Sequence, residues 1–222
     1  MSSYDALAAS YDALTVDVEY RRRADYLTRQ FHRSAFPVET VLDLACGTGT
    51  MSWLLTQQGY EVIGVDGSED MLAAAMSKGG ETQGVPPVFL HQSMPRLDLY
   101  GTVDAAVCCL DSLNYLTDPK DVQRTFRRLH LFVAPGGLLI FDVNTPYKHR
   151  EVLGDNAFVF EEDDFVCVWR NRLEERSGIV DMQLDFFVDS GGSYRRLTDT
   201  VRERAYSRRT WEKLLADAGF GI

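Results

Sequence analysis

Long apolar runs are missing from this chain. Runs such as residues 105–110 and 138–141 fall far short of the roughly 18 residues that a membrane-spanning helix requires. The opening Met1-Ser2-Ser3-Tyr4-Asp5 has no basic stretch followed by an apolar one, so no secretory leader is expected and a cytoplasmic location is. Cysteine is scarce. Cys46, Cys108, Cys109 and Cys167 form no Cys-x-x-Cys pair and no His-x-x-x-His accompanies them, so no metal site is expected. Cys108 and Cys109 read as small apolar residues on opposite faces of a buried strand, in a reducing compartment. Positive charge is in deficit: 23 Lys and Arg against 33 Asp and Glu give a net charge of −10. That sign repels phosphate backbones and argues against a nucleic-acid substrate.

What is present suits a folded enzyme. The 222 residues are 45% hydrophobic, enough for one large or two small domains with a real core. Charge is unevenly spread. Residues 155–189 are acidic, with Glu161, Glu162, Asp163 and Asp164 in a row, and residues 195–209 hold six arginines. Such stretches read first as solvated faces or as neighbours that pair, and second as a basic patch for an acidic substrate.

Along the chain, residues 1–33 have helical character. Tyr4-Asp5-Ala6-Leu7 recurs seven residues later as Tyr11-Asp12-Ala13-Leu14, two helical turns apart, and a second helix is expected over residues 20–31. Strands then alternate with helices. Strands are expected at 41–45, 61–65, 88–91, 103–110 and 138–143, the last after a Pro135-Gly136-Gly137 turn. Helices are expected at 50–58, from an N-cap at Ser68 through Met76, and from Asp118-Pro119 to Phe132. Apolar strands alternating with helices predict a parallel sheet covered on both faces. From residue 158 to 206 the apolar period changes to two, which predicts antiparallel strands with a turn at Ser190-Gly191-Gly192-Ser193. A last helix is expected at 210–217. The organisation expected is therefore a core of residues 1–150, a β-rich insert of 151–206, and a return to the core over 207–222.

The strongest chemical signal is Val41-Leu42-Asp43-Leu44-Ala45-Cys46-Gly47-Thr48-Gly49-Thr50, a strand running into a glycine turn that opens a helix. Glycines let backbone pass close to a ligand, and a helix N-terminus favours negative charge. No Lys follows the glycines, which excludes a Walker-type phosphate loop. Ser52 stands where Gly-x-Gly-x-x-Gly would place its third glycine, which weakens a dinucleotide and hence a nicotinamide-oxidoreductase reading. S-adenosylmethionine (SAM) fits better: it carries no phosphate, yet its carboxylate suits the helix terminus. Asp66 ends the second strand 19 residues past Gly47, where this architecture binds a ribose diol. A turn-forming Asp before Gly67 is the plainer account of that residue alone.

These residues resemble known motifs. The segment from Asp43 to Gly49 resembles motif I of the class I SAM-dependent methyltransferases, Val62-Ile63-Gly64-Val65-Asp66-Gly67-Ser68-Glu69-Asp70-Met71-Leu72 their second motif, and Pro135-Gly136-Gly137-Leu138-Leu139-Ile140-Phe141-Asp142 the approach to their fifth strand. Tyr11-Asp12, Asp111-Ser112-Leu113-Asn114-Tyr115-Leu116 and Phe141-Asp142-Val143-Asn144-Thr145-Pro146-Tyr147-Lys148 resemble the bacterial YqeM-like group of that superfamily. The resemblance spans essentially the whole chain. It implies an α/β, Rossmann-like class I methyltransferase sheet with helices on both faces, N-terminal helices, and the antiparallel insert before the last helix.

It also implies roles. Ala45, Cys46 and Gly47 would hold the methionine part of SAM, with Asp43 beneath the turn and Tyr11 closing over it. Asp66 and Gly67 would meet the ribose, Met71 would pack near the adenine, Ser93 and Met94 would read its edge, and Leu110 and Asp111 would line the site. The product would be S-adenosylhomocysteine. Methyl transfer from a sulfonium is an in-line displacement, so alignment and a dry pocket are the enzyme's main contribution. Asp111, Tyr115 and His149 are the candidate catalytic groups, with a surface position the plainer expectation for His149. Asn114, Tyr115, Asn144 and Tyr147 are candidates to orient the acceptor, and Arg202 and Arg204 to meet an acidic one. A small-molecule acceptor is expected, on a monomer or homodimer. RNA methylation and SAM binding without turnover are the alternatives. Two departures from the family pattern stand out. The family has Asp at the position of Ser93, a stronger acceptor for the adenine amino group, for which Gln92 could substitute. Class I members also end with an antiparallel strand pair where this chain reads Gly221-Ile222, so either the sequence is truncated or the sheet is short at one edge.

Overall fold

The computed structural model describes residues 18–79, 85–162 and 165–222. Helix α1 (Tyr20–Phe31) buries Ala24, Leu27 and Phe31, a stripe at helical spacing. Then follow β1 (Thr40–Leu44), α2 (Thr50–Gln57), β2 (Glu61–Asp66), α3 (Glu69–Ser77), β3 (Val88–His91), β4 (Val103–Cys108), α4 (Pro119–Phe132) and β5 (Val133–Phe141). The five strands form one parallel sheet in the order β3-β2-β1-β4-β5, with Leu42 beside Ile63 on one side and Ala106 on the other. The order reverses at β1 and β4, and in open parallel sheets ligands bind in the crevice beyond the carboxyl ends of the strands at such a point.

Alternate residues of the central strands face opposite layers. Val41, Ala105 and Val107 pack with Leu27, Phe31 and Leu55 of α1 and α2. Leu42, Leu44, Ala106 and Cys108 pack with Phe126 and Leu129 of α4 and with Trp211 and Leu215 of α5 (Arg208–Ala218). Cys108 and Cys109 accordingly fall in the two different layers. Phe126, fully buried, meets Phe141 and Trp211 ring to ring, and burial of such a side chain contributes roughly 2–3 kcal/mol. Side-chain caps start the helices where the sequence placed them. Ser68 accepts the amide of Met71 at 3.3 Å, and Asp118 accepts that of Lys120 at 2.9 Å.

The largest departures from the expected strand boundaries fall in β4 and β5. β4 stops at Cys108, because Leu110 and Asp111 take left-handed backbone (φ 56° and 52°) that no strand continues through. β5 starts at Val133 rather than after the glycines. The register jumps from Val103↔Val133 to Ala105↔Leu138, so Pro135-Gly136-Gly137 is absorbed as a bulge inside the strand. Gly136 (φ 84°) lies under the Phe36 ring, where a Cβ would come within 2.3 Å of it.

The second sheet is antiparallel: β6 (Ala157–Glu161), β7 (Phe165–Glu174), β8 (Ile179–Asp189) and β9 (Tyr194–Arg204), in that order. One face buries Cys167, Val180, Met182, Leu184 and Phe186, and packs with Met71 of α3 and with Tyr115. The other face pairs charges across strands. Arg196 meets Asp185 at 2.8 Å, Arg170 meets Asp185 at 2.5 Å, and Arg202 meets Asp181 at 2.5 Å. The acidic and basic stretches are thus neighbours. No helix among the described residues is long and apolar enough to cross a membrane.

Candidate active site

The loop after β1 is built from backbone that side chains resist. Ala45, Gly47 and Gly49 all have positive φ (59°, 54° and 72°). At Gly49 a Cβ would lie 2.7 Å from that of Ala75 and 3.0 Å from the Phe89 ring, so both conformation and space demand glycine. At Gly47 nothing lies within 4 Å of a Cβ position, leaving the backbone open to the cavity beside it.

Two buried carboxylates hold this loop. Asp43, 2% exposed, lies beneath it and accepts the Ser52 hydroxyl at 2.6 Å. Burial pushes its carboxyl up to about 6, against the Ser52 hydrogen bond and with help from the charge on Asp66. Ser52, where a dinucleotide fold would have its third glycine, is therefore the partner of Asp43. Asp66 spans two loops: one oxygen accepts the Gly47 amide at 2.9 Å and the other the Ser68 amide at 2.9 Å. Burial raises its pKa, opposed by the amides of Ser68 and Gly47. It makes the turn with Ser68 and also faces the cavity.

That cavity, about 220 Å³, lies beyond the carboxyl ends of β1, β2 and β4. Ala45, Gly47, Asp66 and Gly67 form its floor. Met71, Ser93, Met94 and Leu110 line it, as the sequence predicted. Val65, Pro95, Ser112 and Leu116 also line it; Val65, Ser112 and Leu116 lie within the motifs without having been given a role, and Pro95 lies in none. Tyr115 lines it as well. Among the described residues the lining contains no Lys or Arg. Gln92 lies at the rim, but its amide is spent on Asp98. Its nitrogen donates to the Asp98 carbonyl at 2.9 Å, and its oxygen accepts the Asp98 amide at 2.8 Å. Those two bonds fix the orientation of the Gln92 side chain.

Other predicted residues lie elsewhere. Asp43 and Cys46 lie outside the lining, with the Cys46 sulfur near the Gly47 carbonyl (3.8 Å). Tyr11 falls outside the described residues. His149 is buried, 1% exposed, contrary to the surface position expected for it, and lies outside the cavity lining. A tight helical turn, Lys148–Leu153, carries it inward, where its Nε2 lies 3.3 Å from Glu203 and its Nδ1 3.3 Å from the Gly178 carbonyl. Asn114 is fully buried and joins loops, donating to the Asn144 and Arg204 carbonyls and accepting the Asn144 amide. Tyr147 is 71% exposed and off the cavity. Arg202 is taken by Asp181, while Arg204 donates to the Thr117 carbonyl at 3.1 Å and lies over the Tyr206 ring.

The wall after β4 is held by Asp142, Asp111, Asn144 and Glu203, of which only Glu203 lies outside the motifs. Asp142 accepts the amides of Leu110 (2.8 Å) and Asp111 (3.2 Å), fixing the left-handed pair. Asp111 bonds to the Asn144 amide, which also donates to Glu203 at 2.9 Å. Burial, then the charge of Glu203, pushes the Asp111 carboxyl up to about 6, with Lys148 opposing.

Comparison with known proteins agrees with this geometry. Residues 41–137 match the model of a methyltransferase domain family. The YqeM protein of Bacillus subtilis (strain 168), named as a methyltransferase, is 37% identical over 99% of this chain and 87% of its own length. The crystal structure of a SAM-dependent methyltransferase from Clostridium acetobutylicum ATCC 824 is 33% identical and superposes with a TM-score of 0.86, covering 98% of this chain and 87% of that one. A glycine/sarcosine/dimethylglycine N-methyltransferase of Actinopolyspora halophila is 36% identical over 47% of this chain and 19% of its own. With its parallel sheet, motif I loop and near full-length likeness to YqeM, this chain belongs to the YqeM-like family of methyltransferases.

Proposed function

We propose that this protein transfers the methyl group of SAM to a small-molecule acceptor, leaving S-adenosylhomocysteine. The observation that carries the reading is the cavity itself: largely apolar walls and, among the described residues that line it, no basic side chain and one carboxylate, Asp66, beside the Gly47 backbone. A nucleoside without phosphate, bearing a ribose diol and a sulfonium-linked amino-acid tail, matches that donor set. Asp66 would accept the ribose hydroxyls. The backbone at Ala45 and Gly47, running into the N-terminus of α2, would receive the amino-acid end. Met71, Met94 and Leu110 would sandwich the base, and Ser93 would accept from its edge.

When bound, SAM supplies an activated methyl group on sulfur. The protein's task is alignment and exclusion of water. Tyr115, lining the cavity and packed against the second sheet, is placed to orient the acceptor. The second sheet, reaching the site through Met71 and Tyr115, is placed to form the acceptor-side wall. A small acceptor is supported by the net charge of −10, which disfavours RNA, and by the kind of substrate named for the Actinopolyspora halophila relative.

The test is transfer of labelled methyl from SAM, with separate pools of small amines, carboxylic acids and sugars, and with total RNA. Label in a low-mass pool, reduced in Tyr115→Ala, is the expected result. Label in RNA alone, or in no pool while SAM binds, would overturn the small-molecule reading.

A further inference from the structure

We infer that Glu203, on β9 of the antiparallel sheet, is a positioning residue for the cavity wall, holding Asp111 through the Asn144 amide and backed by His149. The inference rests on the cavity being the SAM site. Glu203 is 4% exposed and His149 1%, so neither meets solvent. The two hydrogens of the Asn144 side-chain amide are divided between the carboxylates of Asp111 and Glu203. His149 approaches the same Glu203 oxygen at 3.3 Å and is held from behind by the Gly178 carbonyl. One small amide thus spans the two sheets, with a carboxylate on either side.

The rest of β9 is fastened to the same wall. Asn114, within the 3₁₀ turn Ser112–Tyr115, donates to the Arg204 carbonyl at 2.8 Å. The Arg204 guanidinium donates to the Thr117 carbonyl, and the Tyr206 hydroxyl to that of Leu116 at 2.6 Å. That turn carries Ser112, Tyr115 and, just beyond it, Leu116 into the cavity. Asp111, one residue before it, has left-handed backbone, which side-chain and amide bonds must sustain. A buried polar network of this kind costs much if half-satisfied, so its members act as a unit. The charges around Asp111 come from three elements. Glu203 on β9 and Asp142 after β5 disfavour its ionisation, and Lys148 of the helical turn favours it. Arg23 of α1 lies 4.0 Å from Asp142, and His149 faces Glu203.

The test measures S-adenosylhomocysteine affinity by calorimetry from pH 5 to pH 8, with the unfolding midpoint recorded for each protein. Burial raises the carboxyls of Asp43 and Asp66 as well as that of Asp111, so wild type is expected to show a bend in affinity, of which Asp111→Asn removes the part that Asp111 contributes. Glu203→Gln keeps the shape and the acceptor for Asn144 but removes a negative charge, so the bend moves down by about half a pH unit or more. Glu203→Leu breaks the Asn144 contact and is expected to weaken binding roughly tenfold at pH 7.5, the loss of one charge-assisted hydrogen bond. A merely structural Glu203 would lower the midpoint and leave the bend in place. No bend in wild type, a bend identical in wild type and Asp111→Asn, or an unmoved bend in Glu203→Gln would overturn the inference. The Gln variant decides even where the Leu variant fails to fold. Undiminished binding by Asp66→Ala would bring down the cavity assignment, and this inference with it.

Discussion

Asp43 offers a sharp test because its environment fixes both the sign and the size of the effect. It is 2% exposed beneath the β1 loop, and burial raises its carboxyl from 3.8 to about 6. A folded-state pKa above the unfolded one means that the folded protein holds the proton more tightly. The associated stability is fully present below pH 3.8 and is lost as pH rises through about 6. The displacement corresponds to about 3 kcal/mol in all, of which roughly 1.4 kcal/mol is lost between pH 5 and 7.5. Asp43→Asn removes this proton linkage while keeping the shape and an acceptor for Ser52. Urea unfolding of both proteins at pH 5 and pH 7.5 gives four free energies. Every other titrating group is common to the two proteins. The stability of wild type minus that of the variant should therefore fall by about 1.4 kcal/mol from the lower to the higher pH. A difference that stays constant, or that rises with pH, would refute the burial argument. Ser52→Ala, which strips the buried carboxylate of its hydroxyl donor, should cost about 1–3 kcal/mol at pH 7.5 and less at pH 5.

Other expectations follow from single contacts. Gly49→Ala forces a side chain into left-handed backbone and against Ala75 and Phe89; thermal unfolding should register a loss of about 2 kcal/mol or more, with weakened SAM binding. Asp185 is held at about 2: its burial is outweighed by Thr198, Arg196 and Arg170. Its contribution is present above pH 3.8 and lost as pH falls through about 2, so Asp185→Asn should be less acid-sensitive than wild type. Both arginines are half exposed, and screening keeps the cost at neutral pH near 1–2 kcal/mol by chemical denaturation. Ser93→Asp adds a carboxylate acceptor at the cavity edge and should tighten SAM binding roughly tenfold by calorimetry; unchanged affinity would mean that the adenine edge is read elsewhere.

Local signals foretold the parallel sheet well because each was physically complete in a short window. α1, β3 and the Asp118-Pro119 start of α4 lie where periodicity and capping put them. The motif I loop and Asp66 were legible for the same reason, since a strand, a positive-φ turn and a helix start lie within a dozen residues. What escaped depended on distant partners. Pro135-Gly136-Gly137 reads as a turn but becomes a bulge, because β4 and Phe36 lie against it. Gln92 seemed free until the loop folded Asp98 onto it. His149 follows a strand among polar residues, and only the return of β9 supplies Glu203 to bury it. Glu203 itself lies between two arginines in an alternating strand, where period two predicts one inward side chain but not its partner. Arg202 pairs with Asp181, 21 residues away and directly across the ladder, as the neighbouring acidic and basic stretches suggest.

The central claim is that the cavity at the ends of β1, β2 and β4 binds SAM through Asp66. Calorimetric titration of SAM, S-adenosylhomocysteine and NAD into wild type and Asp66→Ala tests it most directly. Saturable binding of the first two, no binding of NAD, and loss of about tenfold or more in affinity on substituting Asp66 are the predicted results. Absence of SAM and S-adenosylhomocysteine binding to the folded protein, or equal binding by the Asp66→Ala variant, would contradict it.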